Sequence, residues 1–155
     1  MKKFIITAIA LFFAMFTMNA QDPSNLSKAA RLVYDWAEQN GYEPKMSLGD
    51  FFFEVGETSL YVTNSEDETF IQVWAPVDAL DLQNSTEVIG GLLGCNLVNR
   101  DYPLVKAFLT DEGVVYVAVE TCVDETPQIG EYMEYAVQSL LNGIDSLSEV
   151  IAAYR

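Results

Sequence analysis

The apolar positions of the chain change their spacing along its length, and each change predicts an element. Over residues 24–40 apolar side chains recur every three to four positions, while polar and charged residues occupy the other positions, and Gly41 follows. This pattern predicts an amphipathic helix. Between residues 45 and 77 the apolar spacing drops to two, with turn residues at 56–58 and 64–68. The two interruptions predict three consecutive strands joined as a meander.

A second helix is predicted from Asn84 to about residue 98. Asn84 suits the N-cap, and Glu87 follows three residues later, a spacing similar to that of a capping box. The segment also contains Gly90, Gly91 and Gly94, each of which lowers helix stability by about 1 kcal/mol relative to alanine. A close approach to another backbone would account for these glycines.

The last third of the chain predicts a hairpin followed by a long helix. Residues 104–109 and 114–123 have strand character, and the turn residues 110–113 separate them. Thr126 and Pro127 then occupy the positions expected for an N-cap and a first helical residue. An apolar stripe at helical spacing continues from there almost to the C-terminus, which predicts an amphipathic final helix.

The first twenty residues have the pattern of a bacterial secretory signal. Lys2 and Lys3 supply a positive start, residues 4–18 are uncharged and mostly apolar, and Ala20 ends the run. Cleavage after Ala20 would leave residues 21–155 as one exported domain, periplasmic or extracellular. A retained anchor would need about 20 apolar residues, so no membrane insertion is expected after removal of the signal.

The element order after the signal predicts the fold class. Helix, three strands, helix, two strands and helix follow one another without an internal repeat or a long linker. Strands joined by hairpins favour an antiparallel sheet. The sequence therefore predicts an α+β domain, a five-stranded antiparallel sheet with helices packed on it in the order α-β-β-β-α-β-β-α.

Three features stand out within this element order: the run LGCNLVN at 93–99 before the strand at 105–109, the run GVVYVAV at 113–119, and the long final helix. With these features the sequence resembles the YbjN family of bacterial proteins. The resemblance covers roughly residues 25–150. It implies the architecture of type III secretion chaperones and a tendency to bind proteins or to self-associate, and it implies no reaction. Secretion chaperones act in the cytoplasm, however, whereas this chain carries an export signal.

Composition and charge exclude several function classes. The 155 residues include no histidine, which excludes hydrolases that use a Ser-His-Asp or Cys-His arrangement. With 23 acidic and 8 basic residues the formal charge is −15, and it becomes −17 when the two lysines of the signal are removed. Such a charge repels phosphate backbones and anionic lipid surfaces, so no nucleic acid is expected as a partner.

Alternation along the predicted strands gives the sheet two chemically different faces. One face is mainly aliphatic and is expected to lie under the helices. Its members are Phe51, Phe53, Leu60, Val62, Ile71, Val73, Val105, Ala107, Leu109, Val115, Val117 and Val119. The other face mixes aromatic and polar residues. Its members are Phe52, Glu54, Tyr61, Phe70, Gln72, Trp74, Lys106, Phe108, Tyr116 and Glu120.

The six aromatic residues of the second face suggest a binding surface. Aromatic anchors among polar groups are typical of protein interfaces, and six of them on one face would form a large apolar patch. Aromatic residues also favour strands and pair across them for purely structural reasons, which is the competing interpretation. The partner-binding candidates are Phe52, Tyr61, Phe70, Trp74, Phe108 and Tyr116, and the partner would be another protein or a second copy of the chain.

The chain has two cysteines, Cys95 and Cys122. In an exported protein this pair could form a disulfide. Cys95 falls on the predicted second helix, however, and Cys122 has the strand parity of the aromatic face, so two unpaired thiols are the alternative.

These features together favour a non-enzymatic, exported, protein-binding or self-associating module without a cofactor or metal. The acidic turn at 64–68 lacks the order of a calcium loop and is expected to be a solvated hairpin tip. The main alternative is a carrier of a small hydrophobic ligand in the cell envelope, in which an apolar lining would enclose the ligand.

Overall fold

The computed structural model describes residues 23–66, 68–122 and 129–155. The predicted signal peptide at 1–20 and the predicted N-cap pair Thr126 and Pro127 lie outside these ranges. Among the described residues, no helix combines the length and apolar character needed to cross a bilayer.

The sheet is antiparallel and has six strands, in the spatial order β1-β2-β3-β4-β6-β5. The α+β class is confirmed, but the predicted number of five strands is wrong. The strands are β1 (Lys45–Ser47), β2 (Asp50–Val55), β3 (Thr58–Thr63), β4 (Phe70–Ala79), β5 (Val105–Leu109) and β6 (Val114–Cys122).

The additional strand is β1, which pairs with β2 through Lys45 and Phe52, Met46 and Phe51, and Ser47 and Asp50. Three residues are too few to display an alternating pattern, so the sequence did not reveal it. The connection to β2 is a tight turn in which Leu48 and Gly49 both have positive φ. A non-glycine residue at positive φ is uncommon, and sequence patterns identify such turns poorly.

Three helices accompany the sheet: α1 (Lys28–Gln39), α2 (Ser85–Asp101) and α3 (Ile129–Ala153), with a short 3-10 turn at Pro23–Asn25. Ser27 is the N-cap of α1, and its hydroxyl accepts a hydrogen bond from the Ala30 amide. Asn84 is the N-cap of α2, and its side-chain oxygen accepts from the Thr86 amide. Each cap satisfies a backbone donor that the first helical turn would otherwise leave unpaired.

The core lies between the aliphatic sheet face and the helices. Of the twelve residues predicted for that face, all but Leu109 are buried, and Leu109 packs against the core in a partly buried position. The helices contribute Val33, Met133 and Leu140, among others, to the same cluster. Burial of apolar side chains at about 25 cal/mol per Å² is the main force that holds this layer together.

The glycines of α2 allow the helix to lie close to its neighbours. A Cβ atom added at Gly94 would lie 2.4 Å from Leu147 Cδ1 of α3, and one at Gly91 would lie 2.4 Å from Leu80 Cδ1. At Gly90 the added atom would lie 2.6 Å from the Cβ of Tyr154. The glycines therefore do allow a close approach, but the nearest atoms belong to the side chains of Leu80, Leu147 and Tyr154 and not to the backbone that the sequence led us to expect.

The buried carboxylate of Glu87 links the start of α2 to the C-terminal residue Arg155. Glu87 is buried and accepts hydrogen bonds from the Asp81 amide and the Asn84 side chain. The Arg155 guanidinium lies 3.7 Å from Glu87 and 2.9 Å from Asp78. A buried charge requires such partners, so Arg155 completes the environment of Glu87.

Candidate partner-binding surface

Five of the six predicted aromatic residues form one continuous row on the face of the sheet opposite the helices. Strand register places Tyr61 between Phe52 and Trp74. It places Tyr116 beside Phe108, and both residues lie closer to the 110–113 turn than Trp74 does. We call this row the aromatic band. Its members are Phe52, Tyr61, Trp74, Tyr116 and Phe108.

Each ring of the aromatic band contacts the next. Tyr61 stacks on Trp74, Tyr116 stacks on Phe108, and an edge-on contact between Trp74 and Tyr116 joins the two stacks. The centroid distances are 5.5 Å for Phe52–Tyr61, 4.7 Å for Tyr61–Trp74, 5.5 Å for Trp74–Tyr116 and 5.6 Å for Tyr116–Phe108. These contacts fix the rings in place, so the band is a preformed surface that spans strands β2 to β5.

No member of the aromatic band is buried beneath a helix. Phe108 is exposed at 46%, and the other four side chains are partly exposed. Phe70, the sixth predicted residue, lies apart from the band. Phe70 is the first residue of β4 and pairs with Cys122, at the end of the strand away from the 110–113 turn. None of the described ring contacts involves it.

A row of polar groups runs beside the aromatic band, and its members satisfy one another. Trp74 Nε1 donates to Thr63 Oγ1 at 3.2 Å, and Thr63 donates to Gln72 at 2.9 Å. Gln72 in turn donates to Glu120 at 2.9 Å, and Glu120 is ion-paired with Lys106. The band and its polar row are therefore linked, and these polar groups bind each other and hold Trp74 in position.

The two lysines of this face are both neutralised. Lys106 pairs with Glu120, and Lys45 lies 3.4 Å from Glu54 and 5.8 Å from the centre of the Phe52 ring. The hydrogen bond from Lys106 holds the pKa of Glu120 below its usual value, partial burial opposes this effect, and the bond from Gln72 adds to it. Burial raises the pKa of Tyr61, and its neighbour Tyr116 raises it further. The middle of the face is thus apolar and locally neutral.

Carboxylates border the aromatic band at one end of the strands. Glu57 lies in the turn between β2 and β3, and Asp111 and Glu112 lie in the turn between β5 and β6. The strand directions place both turns at the same end of the sheet. All three residues are exposed, and within residues 23–66, 68–122 and 129–155 none of them takes part in an ion pair.

A second exposed apolar surface lies on α2 and was not predicted. Ile89, Leu92 and Leu93 are 50%, 49% and 45% exposed, and their spacing places them on one side of the helix. We call these three residues the α2 stripe. Between Ser85 and Asn99 the helix carries a single charged residue, Glu87, and that residue is buried. Apolar residues occur all round α2, and the sequence therefore did not distinguish its outer side.

The two cysteines are free thiols in the structure. Cys95 is buried on α2, where burial raises its pKa, and Cys122 is exposed at the end of β6. The two residues therefore belong to different parts of the fold, one in the helix layer and one at the end of the open sheet face.

A cavity of about 280 Å³ lies between α1, α3 and the end of β2. Its lining residues are Trp36, Asn40, Tyr42, Val55, Glu134, Val137, Gln138 and Leu141. The polar residues Glu134 and Gln138 are exposed at its border. Among the residues described, no group of three or more cysteine, aspartate or glutamate side chains is arranged to hold a metal ion.

Comparison with proteins of known structure shows which fold the chain shares. No family model matches the chain, and no curated protein matches it in sequence. Among solved structures, YbjN from E. coli superposes with a TM-score of 0.56 at 15% identity, covering 79% of this chain and 91% of that one. The Yersinia pestis type III secretion chaperone SycH, in complex with a stable fragment of YscM2, gives 0.53 at 13% identity, with 77% and 99% covered.

A third structure, an uncharacterized protein from Methanothermobacter thermautotrophicus, superposes with a TM-score of 0.59 at 8% identity. The matched regions cover 81% of this chain and 97% of that one. At these identities the likeness concerns architecture alone. The fold implied by the sequence resemblance is confirmed: the chain has the YbjN-like fold that type III secretion chaperones share.

Proposed function

We propose that this protein is a non-enzymatic, exported binding module that captures another protein on the aromatic band. The observation that carries the proposal is the band itself, a row of five contacting aromatic rings outside the helix layer. A monomer does not need to hold so much aromatic surface away from its core, and fixed aromatic anchors are the residues that dominate protein interfaces.

The polar row supports the same function. Because Thr63, Gln72 and Glu120 bond to each other, a partner can cover the band without leaving these polar groups unpaired. The fold is also one in which protein binding is known, since SycH was crystallised with a fragment of YscM2. The proposal of export rests on the signal-like pattern at residues 1–20.

We infer that self-association uses the α2 stripe rather than the aromatic band. The chain without its signal has a formal charge of −17, so two copies repel one another over most of their surfaces. The α2 stripe is apolar and lies on a helix side without exposed charge, which makes it suitable for contact between identical acidic molecules. Leu93→Glu should lower the sedimentation coefficient to that of a monomer. Ser148→Glu, which adds the same charge on α3, should not.

The carrier alternative is less well supported. The cavity of about 280 Å³ is slightly smaller than the roughly 300–1,000 Å³ typical of small-molecule sites, and polar residues line its border. Native mass spectrometry of the purified protein distinguishes the two functions, because a carrier should retain a small molecule and a binding module should not.

The partner-binding role is tested by site-specific photocrosslinking in producing cells. A photoreactive amino acid at position 108 should give a defined protein adduct, and the same group at position 148 on α3 should not. Added unlabelled protein should suppress the adduct, whereas the Trp74→Ala variant, checked for native unfolding in urea, should compete poorly. Identical adducts from positions 108 and 148, or equal competition by Trp74→Ala, would contradict the proposal.

A further inference from the structure

We propose that the partner of the aromatic band is a segment that combines apolar side chains with lysine or arginine, the basic groups lying over the turns at 56–57 and 110–113. This inference rests on the binding role proposed above and specifies the chemistry of the partner. It follows from where the uncompensated charges lie relative to the rings.

The geometry places carboxylates beside the exposed end of the aromatic band. Tyr116 and Phe108 form the part of the band nearest the 110–113 turn, and Phe108 is its most exposed member. Asp111 and Glu112 follow Phe108 in the chain by only a few residues. Glu57 lies at the same end of the sheet, about three strand spacings away, or roughly 14 Å.

The charges without an ion-pair partner beside the aromatic band, those of Glu57, Asp111 and Glu112, are all negative. Both lysines of the open face are already paired with glutamates, so they offer no free positive charge to a partner. Glu57, Asp111 and Glu112 form no ion pair among the residues that the structure describes, and Arg155 at this end of the sheet is engaged by Asp78. A partner that carries carboxylates beside its apolar residues would be repelled here, and one that carries ammonium or guanidinium groups would be attracted.

The same argument disfavours a second copy of this chain as the occupant of the band. Two aromatic bands in contact would bring two sets of free carboxylates together at one end of each sheet. The net charge of −17 would add to that repulsion. A basic partner avoids both costs and is steered towards the band over a distance of about 10 Å at moderate salt.

The experiment uses three synthetic peptides with one apolar core of alternating valine and tryptophan. The first has lysine at both ends of the core, the second has glutamine and the third has glutamate. Binding is measured with the chain lacking residues 1–20 as secreted, by calorimetry or fluorescence anisotropy. The lysine peptide should bind about tenfold more tightly than the glutamine peptide at low salt, the glutamate peptide should bind most weakly, and added salt should reduce the differences.

Two triple variants locate the source of this preference. Exchange of Glu57, Asp111 and Glu112 for lysine should invert the order of the three peptides. The matched control exchanges Glu131, Asp145 and Glu149 for lysine, which gives the same net charge but changes exposed residues of α3. The control should keep the original order.

The outcomes separate this inference from the proposed function. If both triple variants behave alike, or if the glutamine and lysine peptides bind equally, the band binds apolar segments without selecting for basic groups and the inference is wrong. If the Phe108→Ala and Trp74→Ala variants bind all three peptides as the unsubstituted protein does, the band is not the binding surface and the proposed function fails as well.

Discussion

The side-chain amide of Asn99 forms both hydrogen bonds to the backbone of Ala107 that a further strand beside β5 would form. Asn99 Nδ2 donates to the Ala107 carbonyl at 2.9 Å, and the Ala107 amide donates to Asn99 Oδ1 at 2.7 Å. Two residues earlier, the Val105 amide donates to the Tyr102 carbonyl at 2.9 Å. Because β5 is the last strand of the sheet, α2 closes an edge that could otherwise pair with another chain.

We expect the Asn99→Ala variant to lose about 1–3 kcal/mol of unfolding free energy, because the Ala107 amide and carbonyl lose their partners. We also expect it to self-associate through the opened edge. Urea unfolding measures the first effect, and sedimentation measures the second. Faster hydrogen exchange of the Ala107 amide should accompany both. Asn96→Ala, on an exposed position of the same helix, is the control. Equal stability and equal sedimentation of the two variants would contradict this assignment.

Gly94→Ala should destabilise the protein although alanine is the better helix former. The new methyl group would meet the fully buried Leu147 at 2.4 Å, and the resulting strain of about 1–3 kcal/mol should exceed the gain of about 1 kcal/mol in helix propensity. Gly130 in α3 provides the matched control. Among the residues that the structure describes, the nearest atom to a methyl group there would be Trp36 Cδ1 at 3.9 Å, so Gly130→Ala should be neutral or stabilising. Thermal or urea unfolding of both variants tests the contrast, and a Gly94→Ala variant as stable as Gly130→Ala would refute it.

Glu120 should contribute to stability at neutral pH and not in acid. Its native pKa lies below the usual glutamate value, so the unfolded chain binds the proton more readily than the native protein. The ionised carboxylate therefore stabilises the fold above about pH 4, and this contribution disappears as the pH falls through the native pKa.

The Glu120→Gln variant tests this pH dependence. Because the Lys106 side chain of this ion pair is 66% exposed and solvent screens the interaction, the variant should lose no more than about 1 kcal/mol at pH 7. As the pH is lowered below about 4, its urea midpoint should approach that of the unsubstituted protein. Glu149→Gln, exposed on α3, is the control. A difference that does not shrink on acidification would indicate lost packing and not a lost charge.

The two thiols should differ in reactivity. Cys122 is exposed and should react rapidly with iodoacetamide in the native protein. Cys95 is buried and its pKa is raised, so it should react only after unfolding in urea. Mass spectrometry of the alkylated protein should show one modification in the native state and two in the unfolded state. If neither thiol reacts in the unfolded protein until a reductant is added, the two cysteines are joined in a disulfide.

Much of the fold could be predicted from the sequence because the strands alternate cleanly. Phe51 and Phe53 are buried while Phe52 between them joins the aromatic band, which is the result that period-two alternation predicts. The N-terminus of α2 was equally clear, since the N-cap Asn84 and Glu87 three residues later belong to the first turn of the helix. Short-range signals of this kind depend on neighbouring residues in the chain.

The remaining features depend on residues that lie far apart in the sequence. Nothing in the sequence around Asn99 shows that its side chain bonds to Ala107, because that bond requires the position of α2 beside β5. The α2 stripe was missed for a related reason: glycines, Cys95 and Val98 occupy the inner side of the helix while the larger apolar residues lie outside, so hydrophobic spacing does not indicate which side is buried. The location of Phe70 apart from the aromatic band follows from strand register, which alternation alone does not determine.

The two tryptophans of the chain lie on opposite sides of the sheet, and this separation gives the protein two independent optical reporters. Trp36 is nearly buried in the helix layer, at 6.1 Å from the Phe53 ring, whereas Trp74 belongs to the open face. A Trp36→Phe variant would leave an emission signal from Trp74 alone, and Trp74→Phe would leave one that follows the integrity of the core. Occupancy of the surface and unfolding of the interior could then be recorded separately in the same sample, without an attached dye.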